Sequence, residues 1–351
     1  MRVTVFSERL APPFDEGIKN VTVNLVQELR NAGHSVQAVT VDGESPELSV
    51  LNLRGLNRAL FSRRLSGLVG GFAPDRICYV PTASMTSGAF LRSHMLRRSG
   101  GAPVTMIALQ PRRLARWGKI VSTFWPPDLV LAFSSSTAAL LSHLGARVIR
   151  ATVGVDALRF APLEPERREK LRAELGIPPD RKVILHVGHL HRNRNLEPLR
   201  ALQKLDQIDV FFVASSAKRD AELSDELRRS GVRVLQSQAP LVELIYGASD
   251  LYVFTCPTPS IPKQSSAIDL PLSVFEAMAC DLPVVTTRFG GLPDLFGEAR
   301  GFRYVSDPFD DGAWQKEVSG ALLDDPGANR SRVLPFTWSK LMTAALGAPN
   351  G

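Results

Sequence analysis

Short apolar runs alternate with longer amphipathic stretches through the first half of the chain. Six of these runs predict strands, at Val3–Phe6, Ser35–Val41, Arg76–Val80, Val104–Leu109, Leu129–Phe133 and Arg147–Ala151. Between the first two strands, apolar residues recur at helical spacing, at Val21, Leu25, Val26 and Leu29. Gly33 follows them as a helix stop. This alternation predicts βαβ units around a parallel sheet.

The pattern starts again after a polar, proline-bearing stretch from Ala161 to Asp180. Further strands are predicted at Val183–Val187, Val210–Ala214, Val232–Leu235, Leu251–Phe254 and Pro283–Thr287. A chain of 351 residues is long enough for two domains. We expect an α/β fold with two Rossmann-like, doubly wound domains, at residues 1–155 and 156–335, facing each other across a ligand cleft. Residues 336–351 are expected to form a helix that packs back towards the first domain.

The most informative segment reads IDLPLSVFEAMACDLPVVTT, from Ile268 to Thr287, and a Gly-Gly-Leu-Pro turn follows it at Gly290. Pro271 suits the first position of a helix and Asp269 suits its N-cap. The backbone amides expected to point outward from this helix start are those of Leu272, Ser273 and Val274. Because helix N-termini attract anions, the segment predicts a phosphate site.

This segment resembles the nucleotide-sugar signature of the family-4 retaining glycosyltransferases, which have the GT-B architecture. The resemblance implies that Glu276 contacts the ribose of the donor. The family usually has two glutamates eight residues apart, but Ile268 occupies the first of these positions here. We expect Asp269 to replace the missing glutamate at the sugar. The alternatives are that backbone amides read the sugar, assisted by Lys263 or Ser266, or that Asp269 only caps the helix.

Two further segments carry the resemblance. Val183–Leu196 is similar to the family's strand, Gly-Arg-Leu turn and downstream lysine, and it implies that Arg194 stabilises the departing diphosphate. Pro12–Asn20 is similar to the family's glycine loop near the donor phosphate, although a structural turn also explains Gly17. The implied donor-binding residues are Gly17, Gly188, His189, Arg192, Arg194, Leu272, Ser273, Val274 and Glu276. The implied catalytic residues are Arg194, Glu276 and Asp269.

Acceptor binding is expected in the first domain. Gln110 stands where many members of the family have a histidine after a strand. The candidates for acceptor contacts are Lys19, Gln110, Arg112, Arg113 and the loop Thr82–Ser87. No metal site is expected, because strand alternation points His186 and His189 to opposite faces.

The formal net charge of +7 is concentrated in the first part of the chain, where residues 1–160 contain 19 Lys+Arg and 10 Asp+Glu. Between Leu48 and Pro127 the only acidic residue is Asp75. This asymmetry favours an anionic partner, and interleaved aromatic residues favour peripheral contact with an anionic membrane over nucleic acid. A merely solvated basic surface is the alternative. We expect a cytoplasmic protein, since we find no signal-peptide layout and no apolar run near the roughly 20 residues of a membrane span.

The expected activity is transfer of a hexosyl unit from a nucleoside-diphosphate sugar to a glycan, lipid-linked or other small acceptor, with retention and without a metal or cofactor. A second possibility is a non-catalytic nucleotide-sugar or glycan-binding relative, because Ile268, Gln110 and His189 stand where the family has functional polar or basic groups. A nucleotide-sugar epimerase shares the architecture and is the third.

Overall fold

The computed structural model describes residues 1–45, 48–53, 62–111, 124–216, 220–236, 242–257, 267–324 and 328–347. The chain divides into two units. Unit 1 comprises Met1–Gly154, Ile268–Leu270 and Thr337–Gly351, and unit 2 comprises Val155–Ala267 and Pro271–Phe336. Each unit contains one parallel sheet with interleaved helices, so the predicted α/β class is confirmed.

Unit 1 is built on a seven-stranded sheet of order β3-β2-β1-β4-β5-β6-β7. Its strands are β1 (Arg2–Arg9), β2 (Ser35–Asp42), β3 (Leu51–Asn52), β4 (Arg76–Val80), β5 (Val104–Ala108), β6 (Leu129–Ala132) and β7 (Val148–Arg150). The helices between them are α1 (Gly17–Asn31), α2 (Arg63–Phe72), α3 (Ser87–Gly100) and α4 (Ser135–His143).

Unit 2 has a six-stranded sheet of order β10-β9-β8-β11-β12-β13. Its strands are β8 (Lys182–Gly188), β9 (Ile208–Ala214), β10 (Arg233–Gln236), β11 (Leu251–Phe254), β12 (Val284–Thr286) and β13 (Phe302–Tyr304). Its helices are α5 (Pro165–Glu174), α6 (Glu197–Leu202), α7 (Ala221–Arg229), α8 (Val242–Ala248), α9 (Leu272–Ala279), α10 (Leu292–Leu295), α11 (Asp311–Leu323) and α12 (Asn329–Val333). A 3-10 turn spans Arg192–Arg194.

The last helix, α13 (Trp338–Ala345), belongs to unit 1 and packs against α1. Thr337 caps it by accepting a hydrogen bond from the Lys340 amide. Next to the sheet, the buried Cys78 thiol lies 4.0 Å from the Ala345 carbonyl oxygen. Unit 1 is therefore completed by residues from the far end of the chain.

The apolar pattern explains both sheets. Parallel strands covered on both faces need continuous apolar runs, and β5, β6, β9 and β11 are buried at every position. In α1 the four apolar residues of the predicted stripe are all buried, and Gly33 follows the helix with a φ of 79°. The elements that were not predicted include β3, β13 and α5, which lies inside the stretch interpreted as a polar connection.

Strand order reverses between β1 and β4 in unit 1 and between β8 and β11 in unit 2. Doubly wound sheets bind ligands outside the carboxyl ends of the strands at such reversals. In unit 2 this place is next to Gly188, which ends β8, and Phe254, which ends β11.

Among the described residues, no helix combines the length and apolar character needed to span a bilayer. The three cysteines, Cys78, Cys256 and Cys280, are buried and unlinked.

Candidate functional site

The switch point of unit 2 is lined by Arg194, at the end of the 3-10 turn after β8. Thr255, directly after β11, donates its hydroxyl to the Arg194 carbonyl at 2.9 Å and ties this turn to the strand end. Asn195 then adopts a left-handed φ of 52°, which ends the turn. Local backbone geometry therefore places Arg194 at the carboxyl ends of β8 and β11.

The Arg194 side chain is only 8% exposed, and its Nε finds no hydrogen-bond partner among the described residues. Burial lowers the pKa of this guanidinium, while nearby Cys256 and Tyr252 act in the opposite direction. A buried cation with incomplete pairing is costly unless a counter-charge arrives. Arg194 is therefore suited to meet an anionic ligand.

Helix α9 begins one residue later than expected. Pro271 is its N-cap residue, and no side chain caps the helix, so the predicted capping role of Asp269 is wrong. The Val274 amide already donates to the Pro271 carbonyl at 3.1 Å, because the first turn is tightened. This corrects the prediction that all three first-turn amides point outward, because only the amides of Leu272 and Ser273 precede the first donating amide of the helix.

Glu276 lies in the second turn of α9 and is partly buried. Burial raises the pKa of its carboxyl to about 7, although the Tyr246 hydroxyl donates to its Oε2 at 2.9 Å and opposes the rise. Arg159 lowers this pKa and Glu243 raises it, and these two residues form an ion pair at 3.0 Å. Glu276 is thus a carboxyl group that titrates near neutral pH.

Two buried tyrosines connect these groups. Tyr252 donates its hydroxyl to the Ser273 Oγ at 2.7 Å, and the Tyr246 hydroxyl lies 3.3 Å from the Ser273 carbonyl oxygen. Ser273 therefore links Tyr252 to Tyr246 and Glu276 by hydrogen bonds, and Arg194 lies near enough to Tyr252 for the two side chains to influence each other electrostatically. Sequence reasoning missed both tyrosines, because nothing in their local pattern separates them from core aromatics.

Asp269 lies in a different environment, within unit 1. Its Oδ2 accepts hydrogen bonds from the Ser134 Oγ at 2.7 Å and the Thr137 Oγ1 at 2.9 Å. These hydroxyls belong to the N-cap residue and the first turn of α4, where a carboxylate is also favoured by the helix dipole. The Asp269 amide donates to the Leu109 carbonyl at 2.7 Å. The segment Ile268–Leu270 is thus fastened to unit 1.

Gly17 starts α1 and lies against Ile268. A Cβ atom at Gly17 would be 2.9 Å from the Ile268 Cδ1, so the absence of a side chain permits this close contact. Lys19, two residues on, forms an ion pair with Glu16 at 2.7 Å. Gln110 is 6% exposed, and its carbonyl accepts the Ser84 amide at 3.0 Å. Arg112, Arg113, Lys263 and Ser266 lie outside the described residues.

The remaining basic candidates are paired inside unit 2. His189 Nδ1 lies 2.5 Å from the Ser215 Oγ, and the carbonyl of neighbouring Gly188 accepts the Ser215 amide at 2.9 Å. Arg192 forms ion pairs on the surface with Asp220, Glu222 and Glu226 of the α7 region, so it does not join the Arg194 network. Burial lowers the pKa of His186 to about 4, and this imidazole is neutral at physiological pH.

Comparisons with known proteins find similar sequences and similar folds. Residues 181–324 match the family model described as glycosyl transferases group 1. A sulfoquinovosyl transferase of Arabidopsis thaliana is 26% identical over 335 residues, covering 85% of this chain and 61% of the relative, so the chain spans under two thirds of that protein's length.

Solved structures share the fold over nearly the whole chain. A glycosyltransferase from Rickettsia africae superposes with a TM-score of 0.78 at 16% identity, covering 99% of this chain and 97% of the other. HepE of Anabaena, solved in complex with UDP-glucose, superposes with a TM-score of 0.71 at 15% identity, covering 98% and 95% of the two chains. The predicted resemblance and the GT-B fold class are confirmed.

Proposed function

Since this is a GT-B protein whose residues 181–324 match the group 1 glycosyl transferases, we propose that it transfers a hexosyl unit from a nucleoside-diphosphate sugar to a hydroxyl of a glycan, lipid-linked or other small acceptor. The observation that carries the proposal is Arg194. A buried guanidinium with an unpaired Nε at a strand-order reversal is what binding and neutralising a diphosphate requires.

The proposed donor site is built on unit 2. Arg194 and the amides of Leu272 and Ser273 hold the diphosphate, and Glu276 accepts hydrogen bonds from the ribose hydroxyls. Gly188 and His189 flank the phosphates at the end of β8, and Gly17 of unit 1 is a further proposed donor contact. Arg192 is left out of this set, because carboxylates around α7 already occupy it.

In the proposed reaction, the bond between the anomeric carbon and the diphosphate oxygen breaks, and its electron pair stays with the diphosphate. Arg194 and the helix amides stabilise that developing charge, which is the largest contribution expected of the protein. The acceptor oxygen bonds to the anomeric carbon on the same face, and its proton leaves with the diphosphate. Retention and independence from metal ions are part of the proposal.

Asp269 has a positioning role in this proposal instead of a direct contact with the sugar. Its Oδ2 is held by two hydroxyls, and fastening Ile268–Leu270 to unit 1 fixes the chain immediately before α9. Acceptor binding is proposed for unit 1, at Lys19 and Gln110 and, outside the described residues, at Arg112 and Arg113.

Incubation with a panel of radiolabelled nucleotide sugars and with lipid and glycan extracts tests the activity. We expect transfer from at least one donor in the presence of a chelator, and a product whose anomeric configuration by NMR equals that of the donor. If no pairing of donor and acceptor gives transfer or donor hydrolysis, the proposal is refuted. An inverted product would refute only the retention.

One observation favours a second candidate, a non-catalytic nucleotide-sugar binder. Ile268 has no carboxylate, and the Asp269 Oδ2 already accepts hydrogen bonds from Ser134 and Thr137. Neither residue therefore supplies the carboxylate that the family usually directs at the sugar. Calorimetry distinguishes the two candidates: donor binding without turnover over long incubations supports the binder.

A membrane partner is proposed from charge and exposed aromatic residues in unit 1. Phe124 is 73% exposed, and Trp125, 39% exposed, lies with its ring 5.5 Å from that of His94 on the arginine-bearing helix α3. Co-sedimentation with anionic vesicles that weakens with salt, without binding to neutral vesicles, is the expected result. Equal binding to oligonucleotides would contradict it.

A further inference from the structure

Tyr246 of α8 is a fully buried tyrosine whose hydroxyl reaches only α9 within the part of the chain that the structure describes. The hydroxyl lies 2.9 Å from the Glu276 Oε2 and 3.3 Å from the Ser273 carbonyl oxygen. A phenol has a single proton to donate. With Glu276 ionised, the shorter contact takes that proton; with Glu276 protonated, the carboxyl donates to the phenol oxygen and the phenol proton turns to Ser273.

The ring of Tyr246 is held in place by its neighbours. Phe160 packs against it edge-on at 5.6 Å between ring centroids, and the Tyr252 ring lies at 5.9 Å. Because a packed ring keeps its hydroxyl at one point, the hydrogen bond fixes the Glu276 Oε2. The other oxygen, Oε1, receives no hydrogen bond from the described residues.

Other charged or titratable groups surround the Glu276 carboxyl without donating a hydrogen bond to it in the described structure. These are Arg159 and Glu243, which pair with each other, Tyr252, which donates to Ser273, and Cys280 at the end of α9, beside Arg330 of α12. Among the described residues, Tyr246 is therefore the one donor that couples the position of this carboxyl to its protonation.

We propose that Tyr246 is a positioning residue for donor binding, which holds Glu276 so that Oε1 faces the donor hydroxyls and keeps the carboxyl ionised for that contact. The inference rests on the proposed function and names a residue that acts through Glu276. Burial alone raises the pKa of Glu276, and the Tyr246 hydrogen bond counteracts that rise.

The test compares Tyr246→Phe with Tyr252→Phe. The control variant, Tyr252→Phe, also loses one buried tyrosine hydroxyl, but that hydroxyl donates to Ser273 and not to Glu276. Donor KM and kcat are measured from pH 6 to pH 9. For Tyr246→Phe we expect donor KM to rise about tenfold at pH 7, with kcat within about twofold. Without the Tyr246 hydrogen bond, Glu276 is no longer held towards the donor and a larger fraction of it is protonated. The KM ratio to wild type should shrink towards about threefold at pH 9, whereas the ratio for Tyr252→Phe should not change with pH.

A second measurement distinguishes a role through Glu276 from a packing defect caused by the substitution. In a Glu276→Gln background, Tyr246→Phe should raise donor KM less than about twofold, since the group through which it acts is gone. An equal effect in both backgrounds, or a KM ratio independent of pH, would overturn the inference.

The inference and the proposed function fail separately. NMR of carbon-13-labelled glutamate follows the Glu276 titration without any donor, and we expect a higher midpoint in Tyr246→Phe than in wild type. An unchanged midpoint overturns the role of Tyr246 even in an active enzyme. Absence of donor binding in wild type with a shifted midpoint refutes the proposed function and leaves the Tyr246–Glu276 coupling standing.

Discussion

Asp269 and Glu276 lie seven positions apart in one segment, yet they belong to different units and to opposite environments. The Asp269 carboxylate in unit 1 is bound by two hydroxyls at a helix N-terminus. In the described structure, the Glu276 carboxyl of unit 2 accepts one hydrogen bond, from the Tyr246 phenol, and burial raises its pKa to about 7. The Asp269 carboxylate is thus bound by its own protein, whereas the proposed function assigns Glu276, together with the incompletely paired Arg194, to the donor.

The largest effect should come from removing the incompletely paired cation. We expect Arg194→Ala to lower kcat/KM by about 10³-fold, as loss of a preorganised group at a developing charge typically does. Steady-state assays with the best donor measure this. The matched control is Arg192→Ala, which breaks only surface ion pairs and should change kcat/KM less than about threefold; equal losses in both variants would contradict the assignment.

The second prediction uses stability. The folded-state pKa of Glu276, about 7, lies above the ordinary value of 4.5, so the unfolded chain loses this proton first as pH rises. The free energy of unfolding therefore falls from about pH 4.5 up to pH 7 for this group. Relative to wild type, Glu276→Gln should gain about 2–3 kcal/mol between pH 5 and pH 8, by denaturant unfolding. A difference that does not change with pH would show that the carboxyl is not buried in solution.

Glu276→Gln should also weaken donor binding, because the amide replaces one acceptor oxygen by a donor. We expect donor KM to rise tenfold to a hundredfold at pH 8, on the order of one lost charged hydrogen bond. Donor titration calorimetry gives the same quantity without turnover. Asp269→Asn supplies the contrast: its donor KM should rise less than about threefold, and a larger rise would place Asp269 at the sugar.

The smallest effect expected concerns the satisfied carboxylate. Asp269→Ala removes the carboxylate oxygen that accepts hydrogen bonds from the Ser134 and Thr137 hydroxyls, which should lower the free energy of unfolding by about 1–2 kcal/mol. A double-mutant cycle with Ser134→Ala in denaturant unfolding isolates the pair. A coupling energy near zero would mean that the two side chains do not interact in solution.

Much of the fold could be predicted from apolar patterning. The runs Arg76–Val80 and Leu251–Phe254 were predicted with the bounds that β4 and β11 have. The strands β3 and β13 contain two and three residues, too few for any periodic signal. Helix α5 was missed because its polar sequence buries only Arg172, so no apolar stripe marks it.

For the candidate site, local motifs carried the resemblance that singled out Glu276 and Arg194. The environment of Asp269, in contrast, depends on Ser134 and Thr137, 135 and 132 positions away. The same limit applies to Tyr246, which meets Glu276 across 30 positions. Contacts at such separations are formed by tertiary packing, which a local pattern does not contain.

Because α13 completes unit 1, the order in which the chain is synthesised affects how unit 1 folds. During translation, unit 2 has its whole sequence available before α13 emerges, but unit 1 must wait for this helix to cover α1. Until then, the apolar face of α1 that meets α13 stays open to water. A nascent chain stalled before Thr337 should therefore expose this face of α1 to chaperones, although α1 left the ribosome before any part of unit 2.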